Sequence, residues 1–476
     1  MASNEPDLLV VGSGSTAFAA AIAAHDLGAR VVMVERRTLG GTCANRGCLP
    51  SKNLIEAARI VHEAAHPRYK GLGPARIEID AGRLLAQKDA VVHAYRAKKY
   101  ASVADALDGV EVVTGEARFV DPATVAVGET IFRPGQVLVA SGSRPEIPPI
   151  QGLAEVPFLT SDLLDADEDG RLVDIPPSLV VLGGGYIAAE LAQLFARLGS
   201  SVSIIARSRL LSDFEPELGT ALAAAFRAEG IEVIEGARIE RVQRDGDAVA
   251  VALETAAGGR IVRGERLLVA TGRRPNTDGL GLEAAGVATD ADGFVIVDPE
   301  LRTSQPHIWA AGDVIGRQHG SQMATPVGAR QGRIVAENAF AGAGRRFDGT
   351  VIPRAVFTDP PIGTVGLTEA EVRARRLPAV VAATPLEHVP RAGAIHRTEG
   401  LVKFVASTLD ERVLGVHMIG EAAAEVIHEA AMALRFRATL TDFVDLIHVY
   451  PTMAEALKIG AQAFSRDVSK LSCCAE

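Results

Sequence analysis

Short apolar runs alternate with glycine clusters and longer amphipathic stretches along the first part of the chain. Residues 7–11, Asp-Leu-Leu-Val-Val, read as a buried strand that stops at Gly12. Gly12-Ser13-Gly14-Ser15-Thr16-Ala17 follows, then an Ala-rich stretch that predicts a helix to about Leu27. A second apolar run, 30–34, ends in Glu35. The same order returns later: a strand at 178–182, the turn Gly183-Gly184-Gly185-Tyr186-Ile187-Ala188, a helix at 189–198 and a strand at 201–205 ending before Ala206. Each set is followed by a similar strand and turn, 137–145 (VLVASGSRP, with Gly142) and 267–275 (LLVATGRRP). Two related α/β units are therefore expected. The first is longer, and its excess holds two helical stretches, 51–66 and 82–107, and a pair of cysteines.

The glycine turns carry the dinucleotide-binding pattern in its proper setting. Gly12 and Gly183 permit the tight turn, and Gly14 and Gly185 let a pyrophosphate approach a helix N-terminus. Ala17 allows the helix to pack close to the strand. Glu35 stands where an acid accepts hydrogen bonds from a ribose, which suits FAD. In the second unit Ala206 replaces that acid, and Arg207 and Arg209 follow, which suits the 2′-phosphate of NADPH. The plainer reading of those arginines is a solvated basic loop.

Formal net charge is −10 and no basic block is present, which argues against a nucleic-acid partner. The uncharged stretch 8–24 is preceded by Glu5 and Asp7, where a secretion signal would carry positive charge. The apolar stretch 179–196 contains Glu190 and three glycines, a poor membrane span. A cytoplasmic protein is expected. With aromatic residues at 4%, the core must be built mainly from Ala, Val, Leu and Ile.

The four cysteines fall into two tight pairs, Cys43/Cys48 and Cys473/Cys474, too few for a disulfide scaffold. In Gly40-Gly41-Thr42-Cys43-Ala44-Asn45-Arg46-Gly47-Cys48-Leu49-Pro50-Ser51-Lys52, Cys48 sits near a predicted helix start, where free N–H groups favour the thiolate. Lys52, one turn on, adds positive charge. Structural zinc wants four ligands, commonly from two CxxC pairs, and neither exists here.

This segment resembles the redox motif of the pyridine nucleotide–disulfide oxidoreductases, whose members include glutathione reductase, dihydrolipoamide dehydrogenase, large thioredoxin reductase and mercuric ion reductase. Ala310-Ala311-Gly312-Asp313 is similar to the family's second FAD motif, and the resemblance covers essentially the whole chain. It implies an FAD-binding unit (1–150), an NADPH-binding unit (151–272), a central part completing the first (273–347) and an α+β interface domain (348–476) that makes a homodimer with shared active sites. It further implies that Thr42, Lys52, Ala117 and Asp313 line the FAD site. Lys52 would pair with Glu190, and Tyr186 would gate the nicotinamide pocket. Arg46 departs from a segment that is usually less charged.

Family members that reduce disulfides carry a His, with Glu five residues later, near the C-terminus. Here Tyr450 occupies the His position and Glu455 remains. A phenol with a pKa near 10 is a poor proton donor and acceptor at neutral pH. His448 lies two residues off the pattern. The terminal Cys473-Cys474 resembles the tail of the mercuric ion reductases, and soft thiolates select soft cations. By that resemblance Tyr100 flanks a metal site formed by Cys43 and Cys48, and Hg(II) arrives as a thiol complex through Cys473 and Cys474. That branch often carries an N-terminal metal-binding domain. None is expected ahead of residue 12, so delivery would rest on the tail. A thiol-disulfide or dihydrolipoamide-type reductase, or a flavoprotein that only sequesters metal, are the competing readings.

Overall fold

A computed structural model of the chain describes residues 4–167 and 171–470. The strand Leu8–Val11 is buried along its whole length and lies at the centre of a five-stranded parallel sheet. The order is Ile308–Ala310, Gln136–Val139, Leu8–Val11, Val31–Glu35, Val110–Thr114. Parallel strands covered on both faces require such continuous apolar runs and crossover helices. Here the helix Ser15–Asp26 supplies the first crossover and packs on Thr325–Ala341.

A second parallel sheet of four strands runs Glu232–Ile234, Ser201–Ile205, Ser178–Leu182, Arg266–Val269. Each parallel sheet is accompanied by a three-stranded antiparallel one, Ala117–Phe132 in the first unit and Arg238–Gly264 in the second. The repeat extends to single hydrogen bonds. Gly12 N–H donates to Val34 and Gly183 N–H to Ile205, at 2.8 and 2.9 Å; Ala140 N–H donates to Val11 and Ala270 N–H to Leu182, at 2.9 and 2.8 Å. A Cβ on Gly12 would lie 2.4 Å from the Ala140 oxygen, and one on Gly183 2.2 Å from that of Ala270. Both glycines also have positive φ, so no other residue fits these turns. The two units meet where Arg273–Pro275 pairs antiparallel with Ser143–Pro145.

The C-terminal part folds around a five-stranded antiparallel sheet, Arg354–Val356, Ile362–Gly366, Val413–Ile419, Leu401–Ser407, Ala379–Pro385. Helices Ala423–Arg435 and Glu455–Gln462 cover it through Ile427, Ala430, Leu457 and Ala461. Lys403 is 2% exposed, and its ammonium donates to Glu215, Glu217 and Glu369 at 2.9, 2.8 and 2.7 Å. This knot clamps the sheet to the helix Pro216–Ala228 of the second unit. Buried beside it, His417 is pushed below the usual imidazole range by loss of solvation and stays neutral. No helix among the described residues is long and apolar enough to cross a membrane.

Three expected elements differ in detail. The helix foreseen at 189–198 starts at Tyr186, directly after Gly185. The stretch 82–107 is not one helix: Ala81–Arg96 gives way to a π-turn at Ala97–Ala101 and a short helix Ser102–Ala106. Cys43 lies on a short helix of its own, Gly41–Asn45.

Candidate active site

Cys48 is the first residue of the helix Cys48–Ala65, and no side chain caps that helix. The start of a second helix, Thr325–Ala341, faces the same place, with the Thr325 hydroxyl 3.9 Å from the Cys48 sulfur. Two helix N-termini thus favour negative charge on one thiol. Cys43 and Cys48 are free thiols and hydrogen-bond each other. The bond from Cys43 is the largest influence on Cys48; burial opposes it, and Lys52 and Thr325 assist. The Cys48 thiol is brought down to about 6. The Cys43 thiol is pushed up, first by the same bond and then by burial. Cys48 is the thiolate of the pair and Cys43 the proton-bearing partner.

Lys52 lies one turn along the helix, and its ammonium is 2.6 Å from Glu190. Glu190 is 5% exposed and also accepts from the Phe357 N–H at 2.9 Å. Tyr100 sits in the π-turn with its ring edge-on to Phe18 and packed against Gly40. Burial, then the nearby Cys43, pushes its hydroxyl up to about 12, so it remains a neutral phenol.

A cavity of about 610 Å³ connects these groups to the first glycine turn. Its walls include Gly12, Gly14, Glu35, Thr42, Cys43, Cys48, Lys52, Ala117, Gly142, Tyr186, Glu190 and Asp313. The helix behind Gly14 also begins without a side-chain cap, leaving its first N–H groups for an anion. Asp313 accepts from Ser143 at 2.7 Å, and Ser143 accepts from Arg273 at 2.8 Å. A dinucleotide carrying a flat redox ring fits this lining. A second cavity of about 770 Å³ holds Gly183, Gly185, Arg207 and Arg209, and Tyr186 and Ser161 belong to both walls. Tyr186 therefore stands between the two nucleotide-shaped spaces.

Ala17 is fully buried and packs the helix close against the strand, as expected of it, without itself lining the cavity. Three sequence expectations meet a different environment. Arg209 turns back into its own loop and donates to the carbonyls of Leu211 and Ser212 at 2.9 Å each, and to Phe214. Its guanidinium braces the loop, whereas Arg207 is exposed. Tyr450 and Glu455 do not line the cavity of their own chain. Tyr450 is half exposed beside Leu446, Ile447 and Val449, all exposed, and Glu455 accepts from the Thr452 N–H at 3.0 Å. His448 is held by other partners: its ring nitrogens lie 3.0 Å from Glu429 and 3.2 Å from the Leu446 carbonyl, and Glu429 raises its pKa. Cys473 and Cys474 lie outside the described residues. Thr325 and the Ser143–Arg273 pair were not foreseen; the Thr-Pro opening of a helix was the available sign of the first.

Residues 6–332 match the model of the pyridine nucleotide-disulphide oxidoreductase family, and residues 352–461 match that family's dimerisation domain. The chain belongs to the pyridine nucleotide-disulphide oxidoreductases. It is 44% identical to the mercuric reductase of Streptomyces lividans, over 98% of each chain. With the mercuric reductase of Lysinibacillus sphaericus it shares 40% identity, over 98% of this chain and 84% of that one. Among solved structures it is similar to the Cu(II) complex of the HOCl-induced flavoprotein disulfide reductase RclA from Escherichia coli, with a TM-score of 0.85 and 27% identity. That match covers 97% of this chain and 100% of the other. Like other members of the family, the chain has two Rossmann-like units and a C-terminal α+β dimerisation domain.

Proposed function

We propose that this chain is an FAD-containing enzyme that uses NADPH to reduce thiol-bound Hg(II) to Hg(0). The observation that carries the reading is a thiol–thiolate pair, Cys43 and Cys48, set in the wall of a nucleotide-shaped cavity beside the Lys52–Glu190 ion pair. The full-length similarity to mercuric reductases names the substrate. FAD, when bound, supplies two-electron transfer between the nicotinamide and the thiol pair. Gly12, Gly14, Glu35, Thr42, Ala117, Gly142 and Asp313 hold it, and Lys52 places positive charge against it. Gly183, Gly185 and Arg207 hold NADPH, and Tyr186 moves aside to admit the nicotinamide.

Cys48 gives the thiolate that a soft cation requires, and Cys43 is the thiol that exchanges ligands with incoming Hg(II). Cys473 and Cys474 of the second subunit collect Hg(II) from small thiols and pass it inward by thiolate exchange. Tyr450 of that subunit and Tyr100 flank the route. The sum is NADPH, H⁺ and Hg(SR)₂ giving NADP⁺, Hg(0) and two RSH, the small thiols leaving as thiolates during ligand exchange and taking their protons from solvent. Reduction of the metal itself breaks no S–S bond and needs no protonated leaving thiol. The general acid that disulfide reduction needs is therefore dispensable, and Tyr450 is tolerated where disulfide-reducing members carry His.

The test is NADPH oxidation by the holoenzyme with Hg(II) in excess small thiol, set against oxidised glutathione, oxidised thioredoxin and lipoamide. Turnover with Hg(II) alone supports the proposal, and turnover with a disulfide alone refutes it. Binding of Hg(II) without NADPH consumption would identify a sequestering protein.

A further inference from the structure

Between the two working cysteines lie Asn45 and Arg46, both buried. The Arg46 side chain is 6% exposed, with its guanidinium 3.3 Å from Asp165, itself 2% exposed, and 3.9 Å from Asp162. Asn45 donates to the carbonyls of Leu39 and Gly41 at 2.9 Å and accepts from Arg96 at 3.1 Å. Arg96 also reaches Asp167 at 2.5 Å, and the fully buried Lys88 donates to the Leu164 carbonyl at 2.8 Å. Apart from the Leu39 and Gly41 carbonyls, every one of these partners belongs to the helix Ala81–Arg96 or to residues 162–167. The second stretch leads from the first nucleotide-binding unit into the second, and Ser161, at its start, borders both cavities.

We propose that Arg46 is a positioning residue for the thiol pair, pinning the span between Cys43 and Cys48 to the connecting segment through Asp162 and Asp165. An arginine buried among the four residues that separate the reactive cysteines is costly to desolvate, and that cost is offset only by charged partners placed to receive it. What it adds is a two-carboxylate anchor at the midpoint of the ring that Cys43 and Cys48 close. With its midpoint held, the loop keeps the two sulfurs in contact and raises the effective concentration of one toward the other. Without it the sulfurs separate more freely. Ring closure is then disfavoured, and the hydrogen bond that maintains the Cys48 thiolate weakens. The inference rests on Cys43 and Cys48 being the working pair.

The experiment is a redox titration of the FAD-bound Cys473→Ala/Cys474→Ala protein, which retains only the Cys43/Cys48 couple. Dithiothreitol passes two electrons and two protons to the Cys43–Cys48 disulfide, which opens to two thiols as dithiothreitol closes its own ring. Thiols are counted by mass after alkylation. Arg46→Gln and Asp165→Asn should each lower the ring-closure constant about tenfold, a shift of about 30 mV to more positive potential. The double variant should fall no further than the worse single one. Arg46→Lys, which keeps charge but not the fork, should lie between. A constant unchanged in both Arg46→Gln and Asp165→Asn, even with a lower melting temperature, would leave Arg46 a structural residue only and overturn the proposal. A parent that keeps its thiol couple but fails to consume NADPH with Hg(II) counts against the enzyme reading and not against Arg46.

Discussion

Replacing Cys43 with Ala removes the hydrogen bond that does most to hold the Cys48 thiol at about 6. A hydrogen bond to a charged group contributes roughly 1.5–3 kcal/mol, and one pKa unit corresponds to about 1.36 kcal/mol, so Cys48 should rise by about one to two units. Lys52, Thr325 and two helix N-termini stay in place, which keeps it short of the free-thiol value of 9.0. Losing a partner for the anion moves titration to higher pH. At about pH 6 the thiolate fraction should therefore drop from about one half to about one tenth or less. The assay is the pH dependence of iodoacetamide alkylation at Cys48 in the Cys473→Ala/Cys474→Ala background, with the modified site identified by mass. A midpoint that stays near 6 in Cys43→Ala would refute the reasoning. It would mean that Lys52 and the helix ends alone set the thiolate.

Other consequences are open to direct measurement. Arg207→Ala should raise the KM for NADPH about tenfold or more and leave that for NADH alone. Arg209→Ala should instead lower stability by about 1–3 kcal/mol with little change in either KM; equal KM effects would show that both arginines hold the phosphate. Lys403→Met strands the buried Glu215 beside two further, partly exposed carboxylates, Glu217 and Glu369, and denaturant unfolding should register a loss of about 3–5 kcal/mol. At Asp359, burial pushes the carboxyl up, but Arg197 and Arg397 outweigh it and hold the group below the usual range. Its stabilisation is complete above the unfolded value of about 3.9 and is lost as pH falls through the lower folded value. Asp359→Asn should therefore flatten the acid limb of the stability curve, and an unaltered limb would remove Asp359 from that account.

The glycine turns, the cysteine segment and the duplicated strand endings were legible because each is a local arrangement, complete within a few residues of the chain. Gly12 and Gly183 announce a crowded turn by composition alone, and the matched close approach of the Ala140 and Ala270 carbonyls accounts for it. Thr325 was not legible, since it meets Cys48 across 277 positions of sequence and nothing near either residue marks the encounter. The setting of Arg209 was hidden for a related reason. Its charge is visible in the sequence, but the bend at 210–214 that presents four carbonyls to it is not. The π-turn that aims Tyr100 at Gly40 likewise depends on tertiary packing, because residues 97–101 have no helix-breaking residue among them.

Within one chain, Cys43 and Cys48 open onto the cavity while the segment carrying Tyr450 and Glu455 stands apart from it, flanked by exposed Leu446, Ile447 and Val449. The proposed assembly of the site from two copies has a genetic consequence. On that proposal a chain that lacks Cys48 and a chain that lacks the terminal cysteines should each be inert as homodimers. Expressed together, they should form mixed pairs in which one of the two sites receives every part it needs. The two defects should complement one another when coexpressed, whereas two lesions in the same segment should not.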